Sequence, residues 1–192
     1  SSALDFILPF EKYKITAGAK VSFTNTRNGI NYDTSDPTLV QDDYFRYKEQ
    51  IYALYADYSR EYSERFSMQL GLRMEHTRTT GISEAKDTED KHDYTRLFPT
   101  VYLLYSPTDG HALNFSFSNR ISRPSQNMVN PFPFYQNKYT YACGREDLKP
   151  SYTYNAELGY TLKNNFNVSA YYSYSDDVFF QVVDLDAETN VT

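Results

Sequence analysis

The chain has 192 residues, enough for one good-sized domain or for a piece of a larger one. Its formal charge of −6, with no basic cluster along the chain, argues against a nucleic-acid surface. Its single cysteine, Cys143, excludes an internal disulfide and falls short of any zinc spacing, so we interpret it as a small residue in a loop. Aromatic residues make up 17% of the chain, with 20 Tyr and 13 Phe, and this favours β-strands.

No run of about 18 apolar residues occurs, so the sequence predicts no transmembrane helix. The first nine residues lack the basic start and the small-residue cleavage site of a signal peptide. This beginning fits a mature chain and an internal fragment equally well.

Apolar and polar residues alternate along most of the chain. The clearest run extends from Phe66 to Glu75. A period of two places apolar side chains on one face of a strand and polar side chains on the other. The pattern predicts an all-β, antiparallel up-and-down sheet of eight strands, at residues 2–9, 14–27, 44–59, 65–80, 94–106, 111–122, 151–162 and 166–184.

The predicted connections are of two kinds. Short turns fall at residues 10–13, 60–64, 106–110 and 163–165, and long polar loops fall at 28–43, 81–93 and 123–150. Because the two kinds alternate, every short turn lies at one end of the sheet. Several strands exceed a dozen residues, whereas soluble strands cluster near about five or six. Long strands, short turns at one end and abundant tyrosine favour a transmembrane β-barrel over a soluble sandwich.

The alternation also predicts which side chains share a face. Polar Ser67, Arg73, Asn114 and Ser116 should face the interior, and the outer apolar face should carry Met68, Leu70, Leu72, Leu113, Phe115 and Phe117. The interior charges should pair mainly with one another, because buried charges need partners. These charges are Arg73, Glu75, Arg120 and Glu157.

The sequence predicts no enzyme and no cofactor. Glu75 and His76 are adjacent on a strand and point to opposite faces, so they cannot form a dyad. His92 and Asp93 fall in the polar loop, and His111 follows a turn at the opposite end. Neither Gly-x-Ser-x-Gly nor His-Glu-x-x-His is present.

A calcium site in the first long loop is a weaker alternative. The loop could supply oxygen ligands from Asp33, Asp36, Asp42 and Asp43. Their spacing does not match an EF-hand, and acidic loops of this kind are commonly just solvated. We therefore predict no metal site.

Three stretches resemble the C-terminal half of TonB-dependent outer-membrane receptors, and most closely the outer-membrane β-barrel family abundant in Bacteroidetes. They are Asn114-Phe-Ser-Phe-Ser-Asn-Arg-Ile-Ser-Arg-Pro-Ser125, Asn130-Pro-Phe132 and Leu148-Lys-Pro-Ser-Tyr-Thr-Tyr-Asn-Ala-Glu-Leu-Gly-Tyr160. Residues 43–56, 71–78 and 97–100 agree, so the resemblance covers most of the chain. The chain departs from the family pattern at 143–150, where Cys-Gly-Arg-Glu-Asp-Leu-Lys-Pro replaces a Gly-Asn-Pro-x-Leu-Lys-Pro-like stretch.

The resemblance implies that residues 1–192 are a single segment of an outer-membrane barrel, with the plug domain and the remaining strands absent. It implies a receptor of the cell outer membrane that imports an unidentified solute. The implied partners are outer-membrane lipid, the remainder of the barrel and its plug, TonB through that plug, and a surface lipoprotein. Two alternatives remain open: a small complete outer-membrane barrel, or a soluble adhesin-like β binding module.

The family motifs also single out residues of the third long loop. Proline fixes its own φ and keeps the preceding residue extended, so Lys149-Pro150 should start a strand. The other motif residues are Arg123, Pro124, Asn130, Pro131 and Leu148. Aromatic side chains of this loop could stack on a sugar or a flat chelate, or could fix the loop to the barrel rim, which we favour. They are Phe132, Phe134, Tyr135, Tyr139 and Tyr141.

Overall fold

A computed structural model of the chain describes residues 1–30, 43–83, 88–130, 133–137, 140–145, 147–163 and 165–183. Its elements are β1 (Ser2–Pro9), β2 (Tyr13–Ile30), β3 (Asp43–Ser63), β4 (Phe66–Ser83), β5 (Thr88–Tyr105), β6 (His111–Ser122), α1 (Gln126–Val129), β7 (Phe134–Asn137), β8 (Thr140–Ala142), β9 (Ser151–Leu162) and β10 (Phe166–Asp176). Among the described residues, none of the helical structure is long and apolar enough to cross a membrane.

Eight of the strands form one antiparallel sheet in the order β1-β2-β3-β4-β5-β6-β9-β10. Apart from β6 and β9, neighbours in the sheet are also neighbours along the chain, and β7 and β8 form a separate hairpin in the connection between those two. The predicted all-β, up-and-down fold is therefore confirmed. The sheet is open, with β1 and β10 as its edges in the described part of the chain.

The predicted loop at residues 81–93 is wrong in its bounds, and His92 and Asp93 lie in β5. Residues 78–83 pair one for one with residues 88–93, so each strand satisfies the polar backbone of the other. A cross-strand ion pair adds to this ladder, with Arg78 Nε 2.9 Å from Asp93 Oδ2. Charged side chains made the segment resemble a loop, although a two-stranded extension accommodates them equally well.

The last strand is also shorter than predicted, because it ends at Asp176 and not at residue 184. Its neighbour β9 begins at Ser151, and Asp176 already pairs with Tyr152. The apolar alternation continues through Val178 and Phe180, but these residues have no partner on β9. Val178 and Phe180 therefore remain outside the sheet, although their sequence alternates like a strand, because β9 does not extend beside them.

The register places the predicted side chains on two faces. Leu70 lies beside Val101, which lies beside Phe117, and Met68 is aligned with Leu103 and Phe115 in the same way. We call this side the apolar face. The opposite side carries Tyr55, Arg73 and Glu75, and we call it the polar face. The facing predicted from the alternation agrees with this register.

Aromatic rings border the apolar face at both ends. At the short-turn end, Phe10 stacks on Tyr13 with ring centroids 4.5 Å apart, and Tyr13 lies 5.9 Å from Tyr58. Near the other end, the rings of Phe23 and Tyr52 meet edge to face at 5.9 Å. Between these two belts the face is mainly aliphatic, as a membrane-crossing strand requires.

On the polar face, the side chain of Tyr55 lies along the eight-stranded sheet, which we call the wall. The Tyr55 ring covers Gly18 on the neighbouring strand, and its hydroxyl donates a hydrogen bond to Asp5. A Cβ at position 18 would stand 2.5 Å from the ring's Cζ atom, so glycine gives Tyr55 the room to lie flat. The polar face therefore directs this ring along the sheet and not away from it.

The strands β5 and β6 separate over part of their length. These strands pair only between Thr100 and Tyr105, and the pairing stops directly before Pro99. Proline has no N–H to donate, so it ends the ladder on that side. Beyond this point the Tyr152 ring from β9 stacks on Phe98, with centroids 6.5 Å apart, and both side chains are buried.

Candidate functional site

The connection from β6 to β9 comprises residues 123–150, and its described part folds back over the polar face near the long-loop end of the sheet. We call it the capping loop. Val129 and Leu148 of this loop pack against Phe45 and Tyr47 of β3. Phe45 and Val129 are only 2% and 7% exposed, so this contact is a small hydrophobic core. It is unusual for a long polar connection to be packed in this way.

An ion-pair cluster fixes the start of the capping loop. Arg123 Nη2 donates to Glu75 Oε2 at 2.5 Å and to Thr77 Oγ1 at 3.1 Å. Glu75 also accepts a hydrogen bond from Arg73, and it is buried, as is Thr77. Glu49 lies farther off, with Oε2 3.9 Å from Arg123 Nε. A carboxylate this well buried needs the guanidinium groups beside it to remain charged.

The Arg73–Glu75 pairing agrees with the prediction that interior charges pair mutually. The Arg123–Glu75 pair joins residues 48 positions apart, and we did not predict it. The sequence identifies Arg123 as a motif residue, but it does not indicate the partner. Two features of the sequence nevertheless agree with this pair. Pro124 keeps Arg123 at the end of a strand, and Glu75 occupies an inward-facing position of another strand.

Backbone hydrogen bonds hold the two arms of the capping loop together. Gly144 N donates to Asn130 O at 2.7 Å, and Arg145 N donates to Met128 O at 2.8 Å. Farther from the wall, exposed Arg145 pairs with Asp147, with Nη2 2.7 Å from Oδ2. The hydrogen bond from Arg145 holds the pKa of the Asp147 carboxyl below its usual range. The loop is therefore a structured unit in its described part.

A cavity of about 40 Å³ lies between the capping loop and the wall. Its lining includes Tyr47, Glu49, His92 and Tyr94 from the wall, and Arg123 from the loop. A space of this size holds a few water molecules, whereas pockets for small-molecule ligands have volumes of about 300–1,000 Å³. Within the described part of the chain, this cavity is therefore too small for a solute.

Replacing Gly144 with alanine should loosen the capping loop. The added Cβ would stand 2.5 Å from the backbone carbon of Met128 and 2.7 Å from the carbonyl oxygen of Asn130. Backbone cannot yield as a side chain does, and overpacking of this kind costs about 1–3 kcal/mol. Trypsin cleavage after Arg145 should accelerate roughly tenfold. Cys143→Ser, at the exposed neighbouring position, should leave the rate unchanged; equal rates in all three proteins would contradict this packing.

The motif residues of the capping loop occupy different settings. β6 ends directly before Arg123-Pro124, and β9 begins directly after Lys149-Pro150. Pro124, Leu148 and Pro150 line the cavity, and the Lys149 side chain is exposed. Asn130 contributes its carbonyl to the bond with Gly144.

Much of the aromatic set lies outside the described residues. This holds for Phe132 and Tyr139, and also for Pro131. Phe134 and Tyr135 contribute backbone to β7, but their side chains are not among those described. Tyr141 in β8 is 41% exposed. Whether these aromatics bind a ligand or fix the loop stays a prediction.

The residues considered for catalysis are dispersed. Glu75 lies on the polar face, and His76 lies on the apolar face, with Nδ1 3.0 Å from Thr95 Oγ1. His92 pairs with Asp90 at 2.9 Å, and His111 contacts the Tyr160 hydroxyl at 2.7 Å. No group of three potential metal ligands was found in the described part of the chain. Asp33, Asp36 and Asp42 lie outside that part, as does the side chain of Asp43, so the calcium alternative stays untested.

An open wall of long antiparallel strands, with an aliphatic face between two aromatic belts, defines a membrane β-barrel protein. The model of the outer membrane protein beta-barrel family matches residues 1–192, so the chain belongs to that family. Its place is the outer membrane.

Among solved structures, the copper transporter OprC has a similar fold, with a TM-score of 0.62 and 13% identity. The similarity covers 88% of this chain and 29% of the OprC chain. At this identity the likeness concerns the fold alone. A search of the curated proteins found no match.

Proposed function

We propose that these residues form part of the barrel wall of a TonB-dependent outer-membrane receptor that imports a solute, without enzymatic activity of its own. The open sheet carries this proposal. In the described part of the chain, β1 and β10 each pair on one side only, so each leaves a row of backbone N–H and C=O groups free. Such groups cost several kcal/mol each within hydrocarbon, so further strands must complete the barrel.

The polar face supports a wide barrel in preference to a small closed one. An eight-stranded barrel fills its interior with its own side chains. Here Tyr55 lies flat over Gly18 and does not extend into the interior, which agrees with a wider barrel that holds another body, such as a plug domain. The similarity to a copper transporter, of which this chain spans 29%, agrees with a wall of many more strands. The solute is not specified by any of these observations.

The capping loop suits a receptor, because it covers the polar face at the long-loop end, where a solute from outside would arrive. Its cavity is small, and its anchors are an ion-pair cluster and a small core. A solute that binds between loop and wall would have to displace these contacts. We therefore assign the capping loop to the solute entrance.

The proposal is tested on the polypeptide that carries these residues in its native outer membrane. Its intact mass should exceed that of this chain several-fold, and peptides from a plug domain should be found in the same polypeptide. Cross-linking in cells should join it to TonB, and a deletion of the plug should remove that cross-link. A complete polypeptide of eight strands, or a folded protein that never cross-links to TonB, would reject the receptor assignment.

A further inference from the structure

The wall is interrupted between β5 and β6. Their pairing ends at Thr100 and Ser118, although both strands continue past this rung toward the long-loop end. There β6 stays paired with β9, whereas the described part of the chain places no paired strand on that side of β5. We call the unpaired stretch the seam; it comprises residues 96–99 of β5 and 119–122 of β6.

Side chains at the long-loop ends of β6 and β9 do not occupy the face that their positions predict. Ile121 and Tyr152 pair with each other and, by alternation from Phe117, belong to the apolar face. The Tyr152 ring is nevertheless buried against Phe98, and Arg96 Cζ lies 4.8 Å from its centroid. Both of these contacts belong to the polar face of β5. The ends of β6 and β9 therefore bend inward across that face.

The bend also places Asn119 and Arg123 against the wall. If β6 continued straight, both side chains would lie on the apolar side. Instead, Asn119 Nδ2 donates to Leu97 O at 3.4 Å, and Arg123 pairs with Glu75. Asn119 is 8% exposed, and its Oδ1 atom is buried without a hydrogen-bond partner among the described residues. Because an unpaired buried acceptor is costly, the contacts of the capping loop hold β6 in an arrangement that the strand itself does not favour.

The sequence of the seam is compatible with continued pairing. Extending the observed register by three positions would place Leu97 opposite Ile121, in the same rung as Met74. Leu97 is 55% exposed in the bent arrangement, and its contact with Ile121 would continue the apolar face across both strands. Pro99 removes one N–H from such a ladder, which weakens the pairing and makes this rung a natural hinge.

We propose that the seam closes when the capping loop opens. The ends of β6 and β9 would then return to the wall with Ile121 opposite Leu97. The two arrangements exclude each other, because Arg123 and Tyr152 cannot contact the polar face of β5 when β6 lies in line with it. Opening of the loop is thereby coupled to completion of the wall. The coupling concerns loop and wall alone, so it stands or falls independently of the receptor assignment.

The test is disulfide cross-linking of Leu97→Cys/Ile121→Cys in the complete polypeptide in its outer membrane, in a cysteine-free background that includes Cys143→Ser. A disulfide requires Cα atoms within about 7 Å, which opposed residues of paired strands satisfy. With the loop closed, oxidation by copper phenanthroline should cross-link this pair slowly. Adding Arg123→Ala, which releases the loop, should raise the rate at least roughly tenfold.

A second measurement tests the coupling in the other direction. The cross-linked protein with Arg123 intact should exchange the Arg145 amide hydrogen faster than the reduced protein, because a closed seam would keep the loop open. Gly144→Ala, which loosens the loop without removing a charge, should also accelerate the cross-linking. This variant serves in place of Arg123→Ala if the latter does not fold.

Leu103→Cys/Phe115→Cys is the matched control pair, because these residues face each other on the same two strands where the strands are paired. It should cross-link quickly, and at the same rate with and without the loop substitutions. The proposal is overturned if the seam pair cross-links as fast as the control pair while the loop is intact, or if releasing the loop leaves its rate unchanged. Unchanged exchange at Arg145 after cross-linking would equally reject it.

Discussion

Replacing Leu70 with arginine should destabilise the membrane-inserted protein by about 2 kcal/mol, because an arginine on the lipid face of a barrel costs about 2–4 kcal/mol at the bilayer midplane and less toward the aromatic belt, where Tyr58 lies beside Leu70. Leu70 lies midway between Phe66 and Met74 on the apolar face, beside Tyr58 and Val101. The free energy of unfolding falls because the guanidinium group loses its hydration and gains only contacts with lipid. Chemical unfolding from vesicles would measure the change.

Gln69→Arg is the matched control, because Gln69 is the adjacent residue and points to the polar face. Its arginine would remain in a polar interior, and we expect a change below about 1 kcal/mol for a substitution of this kind. Equal losses in the two variants would mean that the register assigns the faces wrongly. A stable Leu70→Arg protein would mean that this face does not contact hydrocarbon.

Arg123→Ala should release the capping loop from the wall. Removing one partner of a buried ion pair costs about 3–5 kcal/mol, and we expect about 3 kcal/mol here because Arg73 remains beside Glu75. Opening of the loop should then be roughly 100-fold more frequent. Hydrogen exchange at the Arg145 amide, which bonds Met128 O in the closed loop, reports this opening directly.

Arg145→Ala tests whether any arginine of the capping loop would serve. Its partner Asp147 is two residues away and both side chains are exposed, so the pair does not join the loop to the wall. Exchange at the neighbouring loop amides should stay as in the wild type. Glu75→Gln in the Arg123→Ala background should recover part of the loss, because it removes a buried carboxylate that Arg73 alone would otherwise have to compensate. Unchanged exchange in Arg123→Ala would show that the hydrophobic contact of Val129 with Phe45 holds the loop alone.

The sequence by itself determined the eight strands, their two faces and the short turns at one end. The side chains of a strand alternate between its two faces, so Met68, Leu70 and Leu72 share one face whatever strands lie beside them. Proline acts just as locally: β6 ends directly before Arg123-Pro124, and β9 begins directly after Lys149-Pro150. Family membership and outer-membrane location agree with that pattern.

Only the tertiary structure decided what depends on a neighbour. Residues 88–93 are strand because residues 78–83 lie beside them, and Val178 is not strand because β9 has already ended. The pairing of Glu75 with Arg123 across 48 residues, and the packing of Val129 on Phe45, arise when the capping loop folds back onto the wall. Alternation encodes which face a side chain occupies, but the partner it meets there depends on how distant segments come together.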